Sequence, residues 1–198
     1  MTNQLNKWQS EFGEAYTERN DIDWQIRLPA WQTMLNKLSL EHVVEIGPNR
    51  GHNLRAIHET GVAKGNLIGI EPNKTAIKLA RTYYPEISVL EGNAFSLPLV
   101  NGYADLTFTV GVLIHISLDD LPRALSEIYR VSNQYILCAE YFAEAETEIE
   151  YRGQSDLLWK RNFKEHWLQK YNDLTCISEG YWSQEDGFDR ASWWLFQK

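Results

Sequence analysis

The stretch VVEIGPNRG, residues 43–51, constrains the fold of this chain more than any other. A short apolar, β-branched run reads as a buried strand, Gly47-Pro48 stops it, and HNLRAIHET (52–60) follows with Leu54, Ile57 and His58 at helical spacing before Gly61. The same order recurs. NLIGIE (66–71) ends at Pro72-Asn73 and leads into the helical KTAIKLARTYY, while SVLEGNA (88–94), ADLTFTVGV (104–112) and QYILCAEYF (134–142) read as further strands. LDDLPRALSEIYRV reads as a helix capped by Ser117, with Asp119 and Asp120 in its first turn. Strands alternating with helices imply a parallel sheet covered on both faces, with ligands bound at the carboxyl ends of the strands. The last third differs: 151–170 reads as a polar helix, and DLTCISEGYW and ASWWLFQ, joined by SQEDGFD, read as an antiparallel pair at one sheet edge.

The glycine loop selects among nucleotide ligands. A dinucleotide site needs G-x-G-x-x-G aimed at a pyrophosphate. Here Gly47-Pro48-Asn49-Arg50-Gly51 lacks the middle and last glycines and forms E-x-G-x-x-x-G instead. Glu45 puts a carboxylate just before the turn, which disfavours a pyrophosphate and suits an ammonium or a sulfonium. Gly51 is expected to let a ligand approach the backbone. Glu71 ends the second strand about 20 residues on, where a carboxylate accepts hydrogen bonds from ribose hydroxyls. Asn93-Ala94, at the third strand's end, can offer an amide and a backbone N–H to an adenine edge.

With 198 residues and no Pro, Gly or Ser-rich linker, the chain reads as one domain. Lys plus Arg 19 against Asp plus Glu 27 leaves a formal net charge of −8, which makes nucleic acid a disfavoured partner. The longest apolar run, FTVGVLIHI, is far short of a membrane span, and the N-terminus has no basic-then-apolar signal layout, so a cytoplasmic protein without a membrane partner is expected. Cys138 and Cys176 stand alone and read as core thiols, with no metal cluster.

VVEIGPNRG, LIGIEPN, EGNA, ADLTFTVGVLIHI and the terminal hairpin together resemble the class I S-adenosylmethionine-dependent methyltransferases. More narrowly, FGEAYTERN (12–20), GVLIHI (111–116) and YRGQSDLLWKRNF (151–163) resemble the methylases associated with pseudaminic acid biosynthesis. The resemblance implies a Rossmann-like, doubly wound α/β sheet of seven strands, mostly parallel with an antiparallel C-terminal strand and helices on both faces. It implies a helical cap over 1–38, a cofactor-binding core over 40–142, and a substrate-side helix and hairpin over 143–198. The cofactor is then S-adenosylmethionine, held by Tyr16, Arg19, Glu45, Gly47, Asn49, Gly51, Glu71, Pro72, Asn93, Ala94, Val110 and Gly111, with Arg19 on the methionine carboxylate. Asn93 stands where many relatives carry aspartate.

His115, after the fourth strand, is the candidate base, with Glu140 second. Tyr141, Arg152, Lys160 and Arg161 are expected around a small anionic acceptor, a sugar of the nonulosonic type, in a monomer or homodimer that needs no metal. Trp8, Phe12 and Tyr16 recur every four residues and read as a packing stripe on one helix. A nucleoside-binding partner subunit without catalysis, or a methyltransferase for another small metabolite, are the alternatives.

Overall fold

The computed structural model describes residues 2–62 and 64–198. It opens on α1 (Asn3–Trp8) and α2 (Glu11–Arg19). One continuous helix is prevented at Ser10, whose hydroxyl donates to the Lys7 carbonyl at 2.7 Å and so competes with the helical ladder. The expected aromatic stripe nonetheless assembles, with Trp8 edge-on to Phe12 at 5.4 Å and to Tyr16 at 5.1 Å. A 3₁₀ turn, Trp24–Arg27, leads into α3 (Leu28–Leu35), with Pro29 in its first turn.

The core follows as β1 (Val43–Ile46), α4 (His52–His58), β2 (Leu67–Glu71), α5 (Lys74–Tyr83), β3 (Ser88–Glu91), β4 (Ala104–Val110), α6 (Leu121–Val131) and β5 (Ser132–Glu140). A two-stranded pair, β6 (Thr147–Glu148) and β7 (Trp159–Lys160), precedes α7 (Phe163–Lys170), and β8 (Thr175–Trp182) and β9 (Ala191–Gln197) close the chain. The seven-stranded sheet runs β3-β2-β1-β4-β5-β9-β8. Its first five strands are mutually parallel, and β9 is antiparallel to both β5 and β8. This is the Rossmann-like sheet expected, terminal hairpin included.

Period-two alternation divides the core between the two faces. Val44 and Ile46 pack with the α6 residues Leu125 and Ile128 and with Phe163 and Trp167 of α7. Val43, Leu106 and Phe108 pack with Trp31 of α3, Leu54 and Ile57 of α4 and Ile77 of α5. Helices therefore cover both faces. Among the described residues no helix is long and apolar enough to cross a membrane.

Three local expectations are corrected. α6 starts at Leu121 rather than at Leu118, because Pro122 favours the first helical turn and Ser117 closes a separate turn over 117–120, its hydroxyl donating to the Asp120 carboxylate at 2.9 Å and accepting the Asp120 N–H at 3.4 Å. Residues 151–162 are turns and a short strand, not helix: Arg152, Gly153 and Asp156 adopt left-handed φ values of 53°, 72° and 56°. Cys138 is a core thiol, but Cys176 is only half-buried, on the solvent-facing edge strand β8.

Candidate active site

Strand order reverses between β1 and β4, and the crevice that such a reversal opens at the strands' carboxyl ends is where open α/β sheets bind ligands. A cavity of about 390 Å³ lies there, lined from the ends of β1, β2, β4 and β5 and roofed by α1 and α2.

The glycine loop turns through three left-handed residues, Gly47 (φ 71°), Asn49 (φ 51°) and Gly51 (φ 83°). Gly47 faces the cavity, and a Cβ there would stand 2.7 Å from Val112 Cγ2. Gly51 is different from what was expected: it does not line the cavity, and a Cβ on it would meet only Tyr84 at 3.6 Å and Ala80 at 3.9 Å. Its glycine serves the left-handed step that starts α4, not close approach of a ligand.

Glu45 is buried at the end of β1, and its side chain meets α4. Asn53 Nδ2 donates to Glu45 Oε1 at 2.7 Å, and Asn53 Oδ1 accepts from Arg27 Nη1 at 2.8 Å. Burial pushes the Glu45 carboxyl up to about 8, against the pull of Asn53 and Arg27. Arg27 also donates through Nε to the Gly187 carbonyl at 2.9 Å, and burial holds it down to about 10. Glu71 accepts the backbone N–H of Asn49 at 2.9 Å and of Asn73 at 2.9 Å, so it splints the glycine loop to the start of α5, and burial raises it to about 7. Pro72, Asn93 and Ala94 continue the wall, with Asn93 Oδ1 accepting the Phe95 N–H at 2.9 Å.

At the end of β4, Val110 and Gly111 lead to His115, which lines the cavity. Its Nδ1 pairs with the Leu157 carbonyl at 2.6 Å, an acceptor only, so Nδ1 carries the hydrogen and Nε2 the lone pair. Burial brings His115 down to about 4, so it is neutral at pH 7. Trp8 lies 4.5 Å from it, ring to ring, and Tyr151 5.6 Å.

Glu140, the second candidate base, is fully buried and outside the cavity lining. Its carboxylate accepts the backbone N–H groups of Val112, Leu113 and Ile114 at 3.1–3.2 Å, and so anchors the 3₁₀ turn Leu113–His115 that presents His115. In this place it is the acceptor that holds the turn, and burial raises its carboxyl to about 7.

The cap contributes Tyr16, whose hydroxyl burial raises to about 12, but not Arg19, which is exposed and outside the cavity because the last turn of α2 points it to solvent. On the cap side it is Arg27, not Arg19, that lines the cavity. Beyond the end of β5, Tyr141 donates to Asp189, and Tyr151 and Arg152 also line the cavity. The expected cationic cluster does not assemble. Lys160 lies over the Tyr141 ring at 5.9 Å but not on the cavity, and Arg161 is 1% exposed, bonded to the Ile116 carbonyl at 2.7 Å and to Glu146. Neighbouring residues of an extended segment point to opposite sides, and Arg161, just past β7, is buried like Trp159 while Lys160 between them is only half-buried.

Among the described residues, four buried polar side-chain atoms without a hydrogen-bond partner belong to cavity-lining residues: Trp8 Nε1, Glu45 Oε2, Asn49 Oδ1 and His52 Nε2, the last of them 3.7 Å from Asp21 Oδ1. Among these, His52, held down to about 4 by burial, was not anticipated, nor were Arg27, Asn53 and Asp189. Asn53 had a legible signal, a carboxamide on the buried face of an amphipathic helix one turn past the loop. Arg27 and Asp189 had none, since they arrive from distant turns. Among the described residues no group of three or more His, Cys, Asp or Glu is placed to hold a metal ion.

Residues 44–135 match the family described as a methyltransferase domain. A curated relative, an uncharacterized methyltransferase of Alkaliphilus oremlandii, is 26% identical over 141 residues, which are 68% of this chain and 63% of that relative's length. The chain is similar in structure to the 1,6-didemethyltoxoflavin-N1-methyltransferase of Burkholderia thailandensis, solved with bound 1,6-didemethyltoxoflavin and S-adenosylhomocysteine. That match has a TM-score of 0.73 at 15% identity and covers 98% of this chain and 88% of the other. It is also similar to magnesium protoporphyrin IX methyltransferase from Synechocystis with bound S-adenosylmethionine, with a TM-score of 0.71 at 11% identity over 100% and 98% of the two chains. The sheet order, the loop at the end of β1 and the family match over residues 44–135 thus identify the Rossmann-like methyltransferase fold.

Proposed function

We propose that this chain is an enzyme that transfers a methyl group from S-adenosylmethionine to a small-molecule acceptor. The observation that carries the reading is the set of unpartnered buried atoms around one cavity, since buried polar groups are normally paired and a ligand supplies the missing partners. Glu45 Oε2, an acceptor at the end of β1, suits the methionine ammonium. Asn49 Oδ1 and the remaining lone pairs of Glu71 suit ribose hydroxyls, and Asn93 with Ala94 suits adenine. Among the described residues Arg27 makes no hydrogen bond through Nη2, and it takes the carboxylate role expected of Arg19.

When bound, S-adenosylmethionine supplies an electrophilic methyl group on a sulfonium. The chain's own part is mainly positioning and exclusion of water. His115 Nε2 accepts the hydrogen of the incoming hydroxyl or N–H, and takes that proton as the methyl carbon's bond to sulfur, left as a thioether, gives way to its bond to the acceptor atom. With its basicity lowered by burial, His115 stores no proton beforehand; it orients the nucleophile in its neutral state. The turn held by Glu140 sets its direction.

The acceptor reading is a small anionic molecule, with a nonulosonic sugar acid as the finer assignment. Its support is the resemblance of residues 12–20, 111–116 and 151–163, together with Arg152 on the acceptor wall. One cation now carries what three were expected to share. Calorimetry with S-adenosylhomocysteine on the intact chain and on Glu71→Ala tests the cofactor: each charge-assisted bond lost is worth about 1.5–3 kcal/mol, so affinity should fall at least tenfold. Unchanged affinity overturns the ribose assignment. Binding without methylation of any acidic or neutral acceptor would favour a nucleoside-binding partner subunit.

A further inference from the structure

Resting on that cofactor reading, we propose that Arg50 is a positioning residue that latches the cap helix α2 to the cofactor loop, and so couples occupancy of the loop to placement of the acceptor-side wall. Arg50 lies between Asn49, whose N–H is held by Glu71 and whose Oδ1 is unpartnered, and Gly51, which starts α4. Its guanidinium leaves the loop on the side of the cap. Nε donates to the Thr17 carbonyl at 3.0 Å, Nη2 to the Glu18 carbonyl at 3.4 Å, and Nη1 meets the Asp21 carboxylate at 2.8 Å.

Thr17 and Glu18 belong to the last turn of α2, where helix carbonyls have no intrahelical donor and the helix dipole is negative. Arg50 therefore acts as a C-terminal cap supplied from another element. Its side chain is only 7% exposed, with the Tyr83 ring 5.6 Å from the guanidinium, so the bond to the Thr17 carbonyl is shielded from water, while Asp21, 54% exposed, meets the guanidinium from the solvent side. A guanidinium on this loop otherwise works against a cationic ligand, and the three cap contacts account for its presence.

The other end of the cap is fastened from the cofactor side as well. Asn73 Nδ2 donates to the Trp8 carbonyl at 2.9 Å, and the backbone N–H of the same residue is held by Glu71. Both fastenings thus originate in the segments that Glu71 splints. Between them the cap presents Tyr16 to the cavity and Trp8 to His115. Order imposed on the loop by a ligand is passed to the wall against which the acceptor rests.

Amide hydrogen exchange on the full chain, with and without S-adenosylhomocysteine, tests the latch. In the unaltered chain the ligand should slow exchange across both 44–58 and 11–21. In Arg50→Ala it should still protect 44–58 but no longer 11–21, and the Michaelis constant for the acceptor should rise more than turnover falls. Arg50→Lys, which keeps a donor for the carbonyls, should restore part of the protection. Equal ligand-induced protection of 11–21 in Arg50→Ala and the unaltered chain overturns the proposal. If calorimetry finds no binding of S-adenosylhomocysteine to the unaltered chain, the cofactor reading fails, and ligand-free exchange decides the latch. Exchange over 11–21 accelerated about tenfold or more by Arg50→Ala supports it. An unaltered rate overturns it.

Discussion

The side-chain amide of Asn53 donates to Glu45 at 2.7 Å across the gap between α4 and the end of β1. Its oxygen faces the other way and accepts from Arg27 at 2.8 Å. One neutral residue thereby holds an acid and a base on either side of it, with the acid's second oxygen left without a partner. Glu45 is therefore a carboxyl whose proton depends on what enters the cavity.

Cofactor binding should release a proton. Burial raises Glu45 to about 8, so at pH 7 it is largely protonated, and an incoming ammonium favours the carboxylate. Calorimetry at pH 7 in buffers of differing ionisation enthalpy should give a buffer-dependent binding enthalpy, lost in Glu45→Gln. The same shift makes a stability statement. A carboxyl raised from 4.5 to about 8 contributes stability that is present below 4.5 and lost as pH rises through about 8. Glu45→Gln should flatten the fall in unfolding free energy across that window.

Gly47→Ala should be worse than Gly51→Ala. Both positions are left-handed, which costs an L-residue about 1–2 kcal/mol. At Gly51 that strain is the whole effect, since the added carbon finds ordinary contact distances. At Gly47 it also meets Val112 at 2.7 Å, on the cavity wall. Urea unfolding should separate the two variants, and only Gly47→Ala should weaken S-adenosylhomocysteine by displacing the loop itself. Equal losses in both would mean that packing against Val112 is irrelevant.

His115→Ala should lower turnover by about 10²-fold or more while cofactor affinity changes little. Because the imidazole is held near 4, its protonation should not limit the rate between pH 8 and 5. Its linkage to folding has the sign opposite to that of Glu45. A histidine depressed from 6.5 to about 4 contributes stability that is present above 6.5 and lost as pH falls to about 4. Thermal unfolding of His115→Ala should show less acid sensitivity in that interval, and retained turnover would remove its catalytic assignment.

Charge changes at Arg152 and Arg161 should separate. Arg152→Glu should raise the Michaelis constant for an anionic acceptor, more so at low salt, where exposed charge is least screened. Arg161→Ala should instead destabilise the fold by about 3 kcal/mol, since it leaves the buried Ile116 carbonyl without a donor and a void between Trp159 and Phe163. Parallel steady-state kinetics and denaturant titrations check both. Substrate discrimination by Arg161 at unchanged stability would contradict its burial.

Local chemistry was legible in the sequence wherever the deciding forces act over a few residues. β-branched runs stopped by Gly-Pro, helices with one apolar face, and the spacing of Glu45, Gly47 and Glu71 depend on backbone sterics and on burial of one face. They fixed the order of elements and the position of the loop. The same logic failed where a side chain could choose its destination. Arg19 and Arg27 both follow the first aromatic stripe, and only the 3₁₀ turn Trp24–Arg27 directs the second into the cavity. Glu140 and Tyr141 are adjacent, yet the strand alternation and three free backbone N–H groups bury the first and leave the second on the wall. Arg152, Lys160 and Arg161 look alike as a charge cluster, but left-handed turns at 152–156 set Arg152 apart and the alternation of an extended backbone separates Lys160 from Arg161. Tertiary structure decided these cases, because a buried polar group must find partners, and those partners lie 26 residues away for Arg27 and 45 for Arg161.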